Sequence, residues 1–414
     1  MGGWCELSRD LVRMIEGKVD LYEDKVKCRC VCWSWRLALP KMPHQKQDLL
    51  PWLLVPLKTK TEIGSGTSFG FFDPLEKKLH CLQLSDPHKG MLFRGSSHGW
   101  VVNIGKNNSI CAINPLTGAQ VNLPPRTKFP DVLNYRADKP GKEYAIRTYD
   151  NSGFRFLIVS KDHVRNGFLD KVILSSSPQS KEDFVAVAIY GNFSGLAYCK
   201  RGSKKWSFLD RRQCCDVIFH QQQLYAVYTD GSVMVCDIHS SLPKMTPFVP
   251  KLSESLTTRF YLVESFGGLI MVHRDVGTVS ESDVVSDPDS LPPPMYKTCG
   301  FRIFKLDTTC GEWYEIQSIG DDMLFLGWNS SFSLSCKNFP AYAGNCIYFT
   351  DDNLIYHYEG IVGGFDIGIF NLSDGSIQHL PGYKTCDSEL SIWPPPIWFM
   401  PNPLTSCNSL FNKV

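Results

Sequence analysis

Three groups of residues have the types and spacing that chemistry requires. Gly66-Thr67-Ser68-Phe69-Gly70 has the G-x-S-x-G spacing of a hydrolase nucleophile elbow, where a tight strand-to-helix turn presents the serine hydroxyl. Here a Ser/Gly/Thr stretch precedes the pattern and a β-run with Asp73-Pro74 follows it, so the helix that an elbow needs is missing. Cys28, Cys30 and Cys32 could offer thiolates to zinc. On a helix, however, alternate residues point about 200° apart, so the three cannot converge on one ion, and they read as packing residues. The acid pairs Asp321-Asp322 and Asp351-Asp352 fall near turns, where solvated carboxylates are expected. The ten histidines are dispersed, and neither a phosphate-binding G-x-x-x-x-G-K-[ST] nor an H-E-x-x-H segment occurs. The expectation is a protein with no catalytic residues, metal or cofactor.

The elements that would hold such residues follow two hydrophobic rules. Residues 4–39 carry apolar positions at helical spacing, whereas from about residue 69 the chain breaks into short alternating runs separated by Gly, Asp and Asn turns. At 414 residues the chain is longer than one compact core usually supports, so it holds two or more domains or one domain built by repetition. With 43% hydrophobic and 21% charged residues it should fold, and a net charge of +1 gives no reason to expect a nucleic-acid or membrane-surface partner. Sixteen cysteines are spread along a chain whose first residues lack a signal-peptide pattern, and the apolar runs WLLVPL and VESFGGLIMVH are too short to span a bilayer. These features predict a soluble protein of the cytoplasm or nucleus.

In the N-terminal segment, Leu7, Leu11, Met14, Ile15 and Val19 recur at three- and four-residue steps and so share a helix face. Ser8 can cap that helix, and Asp10 sits in its first turn. Asp24 starts a second predicted helix that ends before Pro40, with Val31 and Trp35 on one stripe. Such short helices need a partner to bury their apolar side. The series Trp4, Leu7, Asp10-Leu11, Ile15, Asp24, Val31-Cys32, Trp35-Arg36 resembles an F-box, and Val-Cys-x-x-Trp-Arg is its most specific part. The resemblance implies docking to the Skp-type adaptor of a cullin-RING ubiquitin ligase, with Leu7, Leu11, Ile15, Val31 and Trp35 as apolar anchors and Arg36 as a rim or structural contact. One departure stands out. F-boxes usually begin their first helix with Leu-Pro, and here the pair is Leu7-Ser8.

The β body repeats a unit of strand, polar turn and hairpin at roughly 40 to 50 residues, with turns at Gly118, Asp230-Gly231 and Asp374-Gly375. A β-propeller of about six blades accounts for this best, with a large sandwich or two smaller β domains as alternatives. The segments GSSHGWVV, INPLTGAQVNLPP, VAIYGNFSGLAYCKRGSKKWSFL, DVIFHQQQLYAVYTDGSV, YLVESFGGLIMVHR and FPAYAGNCIYFTDD are similar to the KIB-type, kelch-like propeller found downstream of F-boxes in a plant family. The expected organisation is mainly β: an all-α F-box module at 1–45, a linker at 46–68, and a propeller at 69–405 interrupted by an acidic, Ser- and Pro-rich insertion at 275–298. Within that insertion Ser282 and Ser286 precede acids, as acidophilic kinases favour.

The resemblance implies a substrate receptor: the F-box holds the ligase, the propeller holds a target protein, and ubiquitin transfer follows from proximity. The reading from another class is a propeller hydrolase or carbohydrate-binding protein with a scaffold N-terminus. The target site is not legible. His98, Trp100, Lys204, Lys205 and Arg274 lie in predicted loops, where they could face a ligand or cover blade edges, while Trp206 and Trp313 occupy corresponding places and read as blade packing.

Overall fold

The structure is a computed structural model that describes residues 4–16, 18, 28, 31–39, 51–57, 68–74, 77–82, 92–150, 153–180, 183–252, 259–278, 296–307, 310–339, 342–352, 366–383 and 395–401. Among the described residues the strands form seven sheets. Six of them make a ring. Blade 1 runs Ile397–Phe399, Trp52–Leu57, Ser68–Asp73 and Lys78–Leu82 from its inner to its outer strand. Blade 2 comprises Leu92–Ser97 to Gln120–Leu123, blade 3 Leu169–Leu174 to Ser207–Asp210, blade 4 Cys214–His220 to Thr246–Val249, and blade 5 Arg259–Ser265 to Glu312–Ile316. Blade 6 holds Asp322–Leu326, Cys346–Phe349, Gly368–Asn371 and Ile377–Gln378, plus a fifth strand, Phe332–Ser335, at one edge.

What makes the blades a ring is where their apolar faces go. No four-stranded sheet can bury both faces alone, and each pair of neighbours here shares a separate core. Phe69, Phe93 and Val101 join blades 1 and 2; Trp100, Val172 and Ala186 join 2 and 3; Val187, Val217 and Leu224 join 3 and 4. Val227, Leu262 and Met271 join 4 and 5, Val263, Leu324 and Ile347 join 5 and 6, and Val55, Phe325 and Trp398 close 6 onto 1. The inner strand of blade 1 comes from the far end of the chain, pairing Trp52 with Phe399 and Leu54 with Ile397. The ring is therefore latched by backbone hydrogen bonds between its two ends.

Two expected boundaries move. The 46–68 linker contains the strand Trp52–Leu57, all six residues of which are buried. A strand covered on both faces shows a continuous apolar run without alternation, which is why WLLVPL carried no strand signal of its own. The 275–298 insertion also shrinks, because Gly268–Thr278 and Tyr296–Asp307 pair as far as Thr278 with Tyr296. Ser282 and Ser286 lie outside the described residues. The seventh sheet, Val132–Tyr135, Tyr144–Asp150 and Gly153–Val159, is an accessory to the ring inserted between blades 2 and 3. Tyr144 and Ile146 on one of its faces enter the core shared by those two blades.

The predicted turns are present: Gly118, Gly231 and Gly375 all have φ near +70° (69°, 75° and 70°), which only glycine adopts without strain. Gly95 serves a different need. At φ +142° on the inner strand of blade 2, it lies where a Cβ would strike the Val172 carbonyl of blade 3.

Candidate functional site

Two places could carry function, the N-terminal helices and the centre of the ring. The first helix, α1, spans Arg9–Glu16, with the Ser8 hydroxyl accepting a hydrogen bond from the Leu11 amide at 3.4 Å, as a cap should. A later helix, α2, spans Trp33–Ala38 with Cys32 extended at its N-cap, so Val31 precedes this helix and does not share a stripe with Trp35; Cys28 is helical upstream of it. Val12, Trp35, Ala38 and Leu39 form a small core, with Leu7, Ile15, Cys28 and Cys32 packed against it. The Trp35 indole donates to the Trp4 carbonyl at 2.7 Å, and the Arg13 Nε donates to the Ala38 carbonyl at 3.0 Å, tying the helices together. Cys30 lies outside the described residues.

The five anticipated anchors divide. Leu7 and Ile15 are half-buried, Trp35 is interior, and Leu11 and Val31 face outward. The predicted α1 stripe missed Val12, the residue that α1 buries. In eight residues the helix has two apolar sides, one built on Val12 and Ile15 and one on Leu11 and Met14. Periodicity merged them. The outward residues are Leu11 (44% exposed), Met14 (61%), Trp33 (65%) and Leu37 (54%). Leu11 and Met14 share a face of α1, and Trp33 and Leu37 share one of α2.

At the ring centre the inner strands bring charges together. Lys171 of blade 3 donates to Asp216 of blade 4 at 2.6 Å, each side chain being 1% exposed. Asp216 also accepts from the Val217 amide (2.8 Å), the Leu262 amide of blade 5 (3.2 Å) and the Ser331 hydroxyl of blade 6 (3.2 Å). One carboxylate thus joins four blades. Nearby, the Arg94 guanidinium lies 4.1 Å from the Trp328 ring centroid and donates to the Asn166 carbonyl at 2.6 Å. Burial lowers its pKa to about 9, with Asp170 opposing the shift.

A second network links blades 5 and 6. Arg274 donates to Asp352 (3.1 Å), Asp366 (2.8 Å), the Tyr261 hydroxyl (3.1 Å) and the Thr350 carbonyl (2.9 Å). Burial alone would weaken its charge, but Tyr261, Asp366 and Asp352 outweigh that and hold its pKa above the ordinary value. Tyr296 donates to both oxygens of Asp351, at 2.6 and 2.7 Å; burial and that carboxylate raise the phenol pKa. The Asp351-Asp352 pair is therefore buried and bonded, not solvated as its turn position suggested. Arg259, Arg274, Tyr261 and Tyr296 close over the pair. Asp321 meets the expectation better: it is exposed and pairs with Lys337 at 2.5 Å.

Other candidates resolve simply. Ser68 opens the strand Ser68–Asp73, paired with Trp52–Leu57, so Ser68-Phe69-Gly70 forms no strand-to-helix elbow; Gly66 and Thr67 lie outside the described residues. Trp100 and Arg274 are interior, whereas His98, Lys204 and Lys205 are exposed. Trp206 packs between blade 3 and the accessory sheet, its ring stacked on Phe129 at 4.6 Å. Trp313 is half-buried against the core shared by blades 4 and 5. Among the described residues no three His, Cys, Asp or Glu side chains are placed to hold a metal, and no helix is long and apolar enough to cross a membrane.

A six-bladed ring closed by its C-terminal strand defines a β-propeller. Residues 71–371 match the KIB1-4 beta-propeller family, and the chain belongs to it. Curated relatives extend the likeness beyond the propeller. The chain is 24% identical to F-box protein SKIP23 of Arabidopsis thaliana over 96% of each chain, and 22% identical to F-box/kelch-repeat protein At1g64840 of the same plant over 85% of each. Among solved structures, the Niastella koreensis GH74 enzyme is 12% identical with a TM-score of 0.31, covering 67% of this chain and 38% of that one, too loose a likeness to carry an argument.

Proposed function

We propose that this chain is a non-catalytic substrate receptor of an SCF-type cullin-RING ubiquitin ligase, working in the cytoplasm or nucleus. Its N-terminal helices, residues 1–45, dock to a Skp-type adaptor, and its propeller binds a target protein. The observation that carries the reading is the outward apolar surface of α1 and α2. Four large apolar side chains on two short helices, each between 44% and 65% exposed, are far more than so small a core needs to leave in water. The relative matched over 96% of this chain bears an F-box name. In this reading Leu11 and Val31 touch the adaptor directly, together with Met14, Trp33 and Leu37. Leu7, Ile15 and Trp35 act from beneath, holding the helices at the angle the adaptor meets.

The hydrolase and carbohydrate-binding alternatives need free acids at the ring centre. The carboxylates of Asp216, Asp351, Asp352 and Asp366 are each taken up by cations, amides or hydroxyls of the propeller itself. Pull-down of the full chain with a Skp-type adaptor tests the proposal. Leu11→Asp with Leu37→Asp should abolish capture while circular dichroism keeps the β signal of wild type. Undiminished capture by that variant would refute the docking surface.

A further inference from the structure

Between the accessory sheet and blade 3 lies a groove of about 570 Å³, lined by residues 127–130, Val132, Leu133 and 205–208. Two strand edges meet there. Val132–Tyr135 is the last strand of the accessory sheet, and Ser207–Asp210 is the outermost strand of blade 3, so each is paired on one side only. The floor is rigid: the Trp206 ring stacks on Phe129, and its indole donates to the Pro124 carbonyl at 2.9 Å. At one end the Trp206 amide donates to the Lys128 carbonyl at 3.1 Å. Phe208, two residues on, lies in the edge strand where its pairing with Gly195–Lys200 shifts register, between Phe208 and Asp210.

Charge and apolarity are arranged along this groove in order. Lys128 and Lys205 stand at one end, both exposed and without an ion pair among the described residues, and no acid lines the groove. Leu133 (47% exposed) and Phe208 (43%) stand at the other end. Beyond Phe208 the surface stays aromatic, because Arg211 bridges the rings of Phe208, Tyr149 and Phe154 at 4.9, 4.7 and 5.7 Å. From Phe154 an outward stripe of Phe154, Phe156 and Ile158, exposed by 61%, 69% and 66%, runs along the edge strand Gly153–Val159. Edge strands normally carry charges or bends that prevent pairing; beside Arg155, this one presents three exposed apolar side chains.

We propose that this groove binds an extended, acidic segment of a partner protein, which adds a strand against the Ser207–Asp210 edge. Its carboxylates meet Lys128 and Lys205, and its apolar side chains, about three residues or 10 Å further along, meet Leu133 and Phe208. The inference rests on the receptor reading and names the chemistry of the target. Opposite charge governs which partners approach, and the backbone pairing and aromatic contacts hold them.

Panning a phage-displayed random heptapeptide library against the full chain tests it. The enriched peptides should carry Asp or Glu near one end and an apolar residue about three positions away. A synthetic peptide of that consensus should lose at least tenfold in affinity for K128E/K205E, whose charges are solvent-exposed and whose exchange leaves the core intact. It should lose as much when its alternate backbone amides are methylated, and F208S should weaken it independently. Enrichment without acids, affinity unchanged in K128E/K205E, or no enrichment at all would overturn the groove. Adaptor pull-down of the same preparation separates the two ideas: a chain that binds adaptor but selects no such peptide loses only the groove, and a wild-type chain that binds no adaptor loses the receptor reading.

Discussion

Removing Asp216 should destabilise the propeller far more than removing Lys171, although the two form one ion pair. In Asp216→Ala the ammonium of Lys171 stays buried with, among the described residues, only the Gly327 carbonyl, 3.5 Å away, and the amides of Val217 and Leu262 and the Ser331 hydroxyl lose their acceptor. Stranding a buried charge costs about 3–5 kcal/mol, and each orphaned buried donor adds about 1–3 kcal/mol where water cannot reach it. In Lys171→Met the chain length is kept and the Asp216 carboxylate retains its three donors, so the loss should not exceed that of stranding one buried charge, about 3–5 kcal/mol, with no orphaned donors added. The expected gap is at least 2 kcal/mol, a large share of the roughly 5–15 kcal/mol that holds a folded protein together. The double variant should be no less stable than Asp216→Ala, since the cation it would strand is gone. Urea unfolding of the full chain, followed by tryptophan fluorescence, measures all three. A Lys171→Met variant as unstable as Asp216→Ala would refute the claim that the carboxylate, not the pair, joins the blades.

Three further outcomes follow from the same geometry. Gly95→Ala should destabilise by several kcal/mol, because its Cβ would meet the Val172 carbonyl and its φ is one that alanine resists; unfolding at wild-type denaturant concentration would contradict this. Burial raises the thiol pKa of Cys111 to about 11 and of Cys199 to about 12, so at pH 8 about one thiol in a thousand or fewer is ionised. Mass-mapped alkylation should therefore label the exposed Cys299 and Cys310 in the native chain, and Cys111 and Cys199 only after unfolding. Burial opposes ionisation of Asp210, but bonds from Arg212 and Tyr228 outweigh it and depress its pKa, so its contribution is full above the unfolded value near 4 and vanishes as pH falls through the folded one. Asp210→Asn should flatten that acid limb in thermal melts from pH 5 to pH 2; an unchanged slope would remove the assignment.

The propeller was legible because its signals are local. Hairpin turns at Asp230-Gly231 and Asp374-Gly375 require positive φ, and alternating runs between them fix which face is buried. The strand Trp52–Leu57 was not legible, since burial on both faces erases alternation and only pairing with Ser68–Asp73 and Ile397–Phe399 makes it a strand. The same holds for the charges at the centre. Lys171 and Asp216 are 45 residues apart, and nothing in either neighbourhood distinguishes them from solvated surface groups until the ring closes. On α1 the failure was one of resolution: an eight-residue helix with apolar residues at 11, 12, 14 and 15 fits two stripes equally well, and only the packing of Val12 against Trp35 selects one.

The bonding of Asp216 across the inner strands bears on where recognition can occur. A propeller can bind at its channel only if the inner strands leave polar groups unspent, and here Asp216 alone spends its four contacts across blades 3 to 6. Opening that site for a ligand would require breaking the bonds that set the blade spacing, so binding there would oppose folding. The accessory sheet carries no such burden. Its buried face anchors on Tyr144 and Ile146, and Arg211 ties Tyr149 and Phe154 to Phe208 of blade 3, which leaves the exposed Phe156 and Ile158 on the edge Gly153–Val159 to change without disturbing the ring. Replacing Phe156 with Ser should accordingly leave the unfolding midpoint within about 0.5 kcal/mol of wild type, since the side chain is 69% exposed, yet reduce retention on a hydrophobic-interaction column. A marked loss of stability would mean that the stripe packs against something within the chain, and that the edge is not a surface for partners.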